Sequence, residues 1–135
     1  MKRKVQVWVV NPSERQVLLL KTTEERGAFW QPVTGGVEEG ESDQEAAQRE
    51  LFEETGIDND FPVEDLGYEF DFKTRYGNFA TEHVFFVSLD RQMTVKLDSK
   101  EHQDFRWFSI EEVHEDVLKF HSVFVSFEKM CSQVF

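Results

Sequence analysis

Cysteine is nearly missing from this 135-residue chain: Cys131 stands alone, so no internal disulfide can form and packing must hold the fold. The lone thiol reads as a small hydrophobe on the last helix. No stretch is apolar for long enough to span a membrane. The chain starts basic at Met1–Lys4, but the apolar run Val5–Val10 is broken by Gln6 and stops at Asn11-Pro12 without a small-residue cleavage site. A signal peptide is therefore not expected, and the expectation is a cytoplasmic protein. Positive charge is also scarce, with 15 Lys and Arg against 27 Asp and Glu, a net charge of −12. Such a balance repels a bare nucleic-acid backbone. It leaves a phosphate substrate open if divalent metal neutralises the site locally. His83, His114 and His121 lack metal-ligand spacing, so zinc is not expected.

Aromatic residues are plentiful, 14 Phe and 3 Trp spread along the length, enough for one packed core and a single domain over residues 1–135. Lys4–Val10 and Gln16–Lys21 read as two β-branched strands joined by the turn Asn11-Pro12-Ser13. Phe29–Thr34 is a short extended piece, edge or irregular because Pro32 lies inside it. Leu66–Phe72 and Ala80–Leu89 read as strands joined through Tyr76-Gly77-Asn78, and Met93–Leu97 and Phe105–Phe108 as shorter ones. Ser109 to Glu112 is a capping box expected to open a helix. Val123, Phe124, Phe127, Met130, Cys131 and Val134 recur at helical steps near the end. The expected fold class is α/β (α+β), a mixed sheet packed between helices.

The clearest helix follows Gly35-Gly36 and Gly40. Ser42 and Glu45 form a capping box, no Pro or Gly interrupts the segment to Thr55, and Gly56 stands where a left-handed cap belongs. At about 100° per residue, Glu50, Glu53 and Glu54 fall within an arc of roughly 100°. Ala47, Leu51 and Thr55 supply the packing face, and Arg49 can pair with Glu53 one turn on. Carboxylates on one stripe repel. A hard divalent cation reverses the sign of that interaction, and Mg²⁺ takes carboxylate and phosphate oxygens together.

From Gly35 the spacing is five residues to Glu41, then seven to Arg49-Glu50-Leu51-Phe52-Glu53-Glu54-Thr55-Gly56-Ile57. This resembles the Nudix box, G-x5-E-x7-R-E-U-x-E-E-x-G-U with U aliphatic, at all nine defined positions over residues 35–57. The resemblance implies the Nudix fold, an α/β/α sandwich with a loop–helix–loop motif. It also implies Mg²⁺, or Mn²⁺ in its place, on Glu50, Glu53 and Glu54. Arg49 would orient a carboxylate, Glu41 would pack or hydrogen-bond nearby, and Gly35 and Gly56 would be structural. The implied activity is hydrolysis of a phosphoanhydride, with Glu53, Glu54, Arg49 and Glu101 as catalytic candidates. The proton acceptor lies in the box or on a loop outside it, where Glu101 and then Glu82 are candidates.

Phe29-Trp30-Gln31-Pro32-Val33-Thr34-Gly35 and the run to Glu41, with Thr81-Glu82 and Glu101-His102, resemble the dihydroneopterin triphosphate pyrophosphohydrolase subgroup. The expected substrate is therefore a nucleoside or pterin triphosphate, cleaved to monophosphate and pyrophosphate. Nucleoside-diphosphate sugars or dinucleotide polyphosphates come second, and RNA 5′ ends or a non-catalytic nucleotide sensor after them. Trp30, Phe29, Tyr76 and Phe79 are candidate ring surfaces. Lys21 and Arg26 are candidates for the distal phosphates. Gly35, Gly36 and Glu82 join Lys21 and Trp30 on the substrate side. Partners are expected to be a small phosphate ester and, at most, a second copy of the chain.

Overall fold

The computed structural model describes residues 2–91 and 93–135. Seven strands form one sheet: β1 (Lys2–Asn11), β2 (Gln16–Thr22), β3 (Trp30–Gln31), β4 (Val33–Gly36), β5 (Glu64–Lys73), β6 (Phe79–Ser88) and β7 (His102–Ser109). Two α-helices cover it, α1 (Asp43–Thr55) and α2 (His121–Val134). The sheet is mixed: β1 runs parallel to β6, and the other pairings are antiparallel.

β1 and β2 pair only near their turn, at Val9–Asn11 against Gln16–Leu18. Beyond that they diverge, and the chain from Trp30 to Gly36 fills the gap, β3 pairing with β2 and β4 with β1. The expected irregular piece thus lies inside the sheet rather than on an edge. Pro32, which has no N–H to donate, sits at the break between its halves, where no ladder bond is needed.

Alternation along the strands sorts side chains to two cores. Val5, Val7, Val9, Leu18 and Leu20 pack on one face with Ala46, Ala47 and Leu51 of α1. Trp8, Val10, Val17 and Leu19 pack on the other with Phe127 and Met130 of α2. β1 and β2 are apolar on both faces over most of their length because a helix covers each side.

Two expected elements differ. Met93–Leu97 is not a strand: Val95 is buried against the α1 core, and the N–H of Lys96 donates to Thr55 O at 2.9 Å, capping α1 instead of extending the sheet. Its alternating pattern was a period-two burial without a partner strand. The capping box at Ser109 forms, yet it opens only a three-residue 3₁₀ turn, Ile110–Glu112. Val113 and Leu118 both bury on the α2 face. Five residues apart on a helix they would point about 140° away from each other. No helix of the described residues is long and apolar enough to cross a membrane.

Candidate active site

The site starts from the turn between β4 and α1. Ser42 Oγ accepts from Glu45 N at 3.1 Å, and Ser42 N donates to Glu45 Oε1 at 3.0 Å, so α1 opens on the expected capping box. Gly56 closes the helix at φ 80°, and its N–H reaches Phe52 O. Between those caps the helix presents its acidic stripe to the chain around Gly35.

Arg49 organises that stripe. Its Nε and one terminal nitrogen donate to both oxygens of Glu41, at 2.8 and 2.9 Å, and the same nitrogen reaches Gly36 O at 2.9 Å. Its other terminal nitrogen donates to Glu50 at 2.8 Å and to Glu53 at 3.2 Å. One guanidinium therefore ties the glycine loop, the turn and two helix carboxylates together, as its fork of donors permits. Hydrogen bonds from Arg49 and from the Glu38 N–H lower the Glu41 pKa to about 2. Gly35 is required here by space: a Cβ on it would fall inside the carboxyl group of Glu50.

The three stripe glutamates occupy different surroundings. Glu53 is half exposed on Arg49, Glu50 is buried beneath it, and Glu54 is 1% exposed. Neither oxygen of Glu54 has a donor in full hydrogen-bond geometry, the Thr34 N–H and the Glu50 carboxyl being its nearest polar neighbours. Burial, then the neighbouring Glu50 carboxylate and Glu101, push its pKa up to about 10, against a smaller opposing effect of the Thr34 N–H. A buried carboxyl so poorly supplied with donors is costly in its charged form and uncommon.

Facing Glu54 are Glu101 and His102 at the start of β7, with ligand atoms of the three within 4.8 Å of one another. Burial raises the Glu101 pKa, as do the charges of Glu50, Asp98 and Glu53, while Arg26, 3.9 Å away, opposes them. His102 is 1% exposed, and burial, with Arg26, lowers its pKa to about 4. The Gln31 amide donates to its Nε2 at 2.9 Å, which places the ring proton on Nδ1, 3.9 Å from Glu54 Oε1. Carboxylate oxygens of Glu50, Glu54 and Glu101 dominate the donors around this place. An oxygen-rich set suits Mg²⁺. The oxygens of Glu54, short of donors, fit a cation that completes their surroundings.

The structure thus brings Arg49, Glu50, Glu53, Glu54, Gly35, Gly36 and Glu101 together. It places Glu82 elsewhere, on the α2 face, in a buried chain: Trp8 Nε1 donates to Ser126 Oγ, Ser126 to Gln6, and Gln6 Nε2 to Glu82 Oε2 at 2.6 Å. Lys21 and Trp30 also turn to the α2 side, with the ammonium 6.0 Å from the indole. Sequence reasoning gave Gln31 and Thr34 no role. Their only signal was their place in the run before Gly35. A second group of possible ligands, Asp43, Glu69 and His83, is engaged internally, with Arg3 bridging the two carboxylates and His83 bonded to Asp43 and Asp65.

Comparison with known proteins places the chain among its relatives. The NUDIX domain family profile matches residues 1–126. An RNA pyrophosphohydrolase of Pelagibacter ubique is 28% identical over 125 residues, covering 83% of this chain and 79% of that one. An octanoyltransferase of Myxococcus xanthus is 39% identical over 100 residues, 72% of this chain; the chain spans only 27% of that relative's length. The solved Escherichia coli dihydroneopterin triphosphate pyrophosphohydrolase superposes with a TM-score of 0.85 at 25% identity, covering 97% of this chain and 95% of that one. An E. coli dihydroneopterin triphosphate diphosphatase is 46% identical over 59 residues, 42% of this chain and 39% of that one.

Proposed function

The chain belongs to the NUDIX domain family, and from that premise we propose that it is a Mg²⁺-dependent pyrophosphohydrolase that cleaves a pterin or nucleoside triphosphate to monophosphate and pyrophosphate. The observation that carries the metal is Glu54: a carboxyl walled off from water, with no donor in full hydrogen-bond geometry on either oxygen, beside Glu50 and Glu101.

In this reading Glu50, Glu53 and Glu54 would hold the metal. When bound there, Mg²⁺ would supply charge neutralisation on the phosphates and acidify the attacking water. Arg49 fixes the directions of Glu50 and Glu53, so no reorganisation is needed when substrate arrives. Glu101, partly exposed and with a raised pKa, takes the proton from water as the new P–O bond forms and pyrophosphate leaves. Gln31 holds the His102 ring, which lies 3.9 Å from Glu54. The pterin-directed choice draws on the resemblance of the Phe29–Glu41 run and on the two E. coli relatives.

Product analysis with Mg²⁺ tests it. Dihydroneopterin triphosphate or nucleoside triphosphates should give monophosphate and pyrophosphate. Sugar phosphate from nucleotide sugars, with triphosphates left intact, would overturn the substrate assignment. Mn²⁺ is expected to substitute. A second reading, removal of pyrophosphate from RNA 5′ ends, is favoured by the Pelagibacter relative and opposed by the charge of −12.

A further inference from the structure

The cleft around Glu54 is short of positive charge. Glu50, Glu53, Glu101 and Asp98 stand about it. Arg49 has nothing left for an incoming anion: its guanidinium makes five bonds, to Glu41 twice, Gly36 O, Glu50 and Glu53, one for each N–H. Lys21 lies over Trp30 on the other face of the sheet. Arg26 differs from both. Its Nη1 is 3.9 Å from Glu101 Oε1, and its guanidinium donates no hydrogen bond among the described residues. The two side chains are 42% and 44% exposed, and an ion pair so open adds little to stability. Arg26 thus carries unspent donors one carboxylate away from Glu54.

The backbone beneath Arg26 is fixed. The 3₁₀ turn Glu24–Arg26 is closed by Arg26 N to Thr23 O at 3.0 Å, Gly27 N to Glu24 O at 3.1 Å and Ala28 N to Thr23 O at 2.9 Å. Gly27 at φ 114° and Ala28 at φ 52° turn the chain back, and Thr22 and Phe29 bond each other on either side. A non-glycine residue held left-handed stores strain that the surrounding bonds must outweigh. The same turn is tied to the chain that carries Glu101. Thr23 N donates to Glu101 O at 3.3 Å, and Gln103 Nε2 to Thr22 O at 2.9 Å. Arg26 and Glu101 therefore share one scaffold, and only their side chains need to move.

We propose that Arg26 is a phosphate-binding residue of the hydrolase, exchanging Glu101 for non-bridging oxygens of the substrate's phosphate chain. Its part in catalysis rests on the hydrolytic reading above. A guanidinium presents two parallel N–H groups to two oxygens of one phosphate, so a phosphate displaces a loose, exposed carboxylate contact. The exchange leaves the Glu101 oxygen to the attacking water, which couples the arrival of substrate to the freeing of the base.

The test uses the full chain with Mg²⁺ and methylenediphosphonate, a diphosphate mimic with no anhydride to cut, titrated calorimetrically. The wild type should bind it, and Arg26→Gln should weaken that binding about tenfold or more, the worth of a charge-assisted pair. The kcat/KM for the triphosphate should fall by about tenfold or more as well. Arg26→Lys should recover part of both, since it restores the charge but not the fork. Lys100→Gln removes the same charge from the exposed neighbour of Glu101 and should leave both within about threefold. The melting temperature of Arg26→Gln should hold, because so open a pair contributes little. A wild type that does not bind the diphosphonate, an unchanged affinity in Arg26→Gln, or an equal loss in Lys100→Gln would each overturn the proposal. The last of these would show a general field in place of a contact. If the chain hydrolyses no triphosphate while Arg26→Gln still loses the diphosphonate, the hydrolytic reading fails and the phosphate contact stands. Turnover that Arg26→Gln leaves unchanged sinks the contact alone.

Discussion

Two single residues separate chemistry from architecture. Burial keeps Glu54 protonated near neutral pH when no cation is bound, so Glu54→Gln replaces a neutral group by one of the same shape. The melting temperature without metal should hold, while kcat with Mg²⁺ falls about 10²–10⁴-fold. Near-native turnover of that variant would remove Glu54 from the site. Gly35→Ala acts from the other side, because the new methyl displaces the Glu50 carboxyl from its bond with Arg49. A shift of about 1 Å in such a group costs on the order of 10²-fold in rate. The expected result is a large loss of kcat/KM with the fold intact, checked by kinetics and circular dichroism. Both residues stand at defined positions of the box. What the box does not record is that Glu54 is buried and Glu53 half exposed, since helical angle alone gives them equal standing.

At the scale of elements, α1 is held by its apolar face, its caps and a lateral clamp. Leu51 is fully buried against the sheet, so Leu51→Ala should cost about 2–5 kcal/mol, read from chemical denaturation. An unchanged midpoint would mean the packing face is misassigned. The clamp joins α1 to three strands. His83 on β6 bonds Asp43 of α1 and Asp65 of β5, each at 2.8 Å, while Arg3 of β1 bridges Asp43 and Glu69. Burial works to lower the His83 pKa, but the two carboxylate bonds outweigh it and the net shift is upward. A folded pKa above the unfolded value means stabilisation present in full below about pH 6.5 and lost as pH rises through the folded pKa. His83→Gln should therefore lower the melting temperature more at pH 6 than at pH 9. An equal loss at both values would show that His83 is not charged in the clamp. Elements whose partners lie next to them were legible in sequence; Met93–Leu97 was not, because its alternation answers to a helix end far earlier in the chain, where Lys96 bonds Thr55.

For the whole molecule, the charge of −12 sets which phosphates can approach. Free triphosphates arrive with their metal, whereas an RNA backbone adds repulsion at every phosphate. The kcat/KM for a free pterin or nucleoside triphosphate should exceed that for a triphosphate-ended RNA oligomer by about tenfold or more at low salt, with the gap closing as salt is added. A faster reaction on RNA under the same conditions would reverse the ranking of the two readings.

Sequence alone determined the helix, its caps and the nine box positions, because each depends on residues close by in the chain, and the order of strands and helices pointed to a mixed sheet between helices although its pairings join distant segments. Tertiary structure decided which carboxylates lose water, that Glu101 and not Glu82 meets Glu54, and that Lys21 and Trp30 face the other side of the sheet. Those outcomes depend on where β1 and β2 part to admit β3 and β4, and on which face each strand residue then takes. A one-residue change of register would exchange the faces, and no local pattern records it.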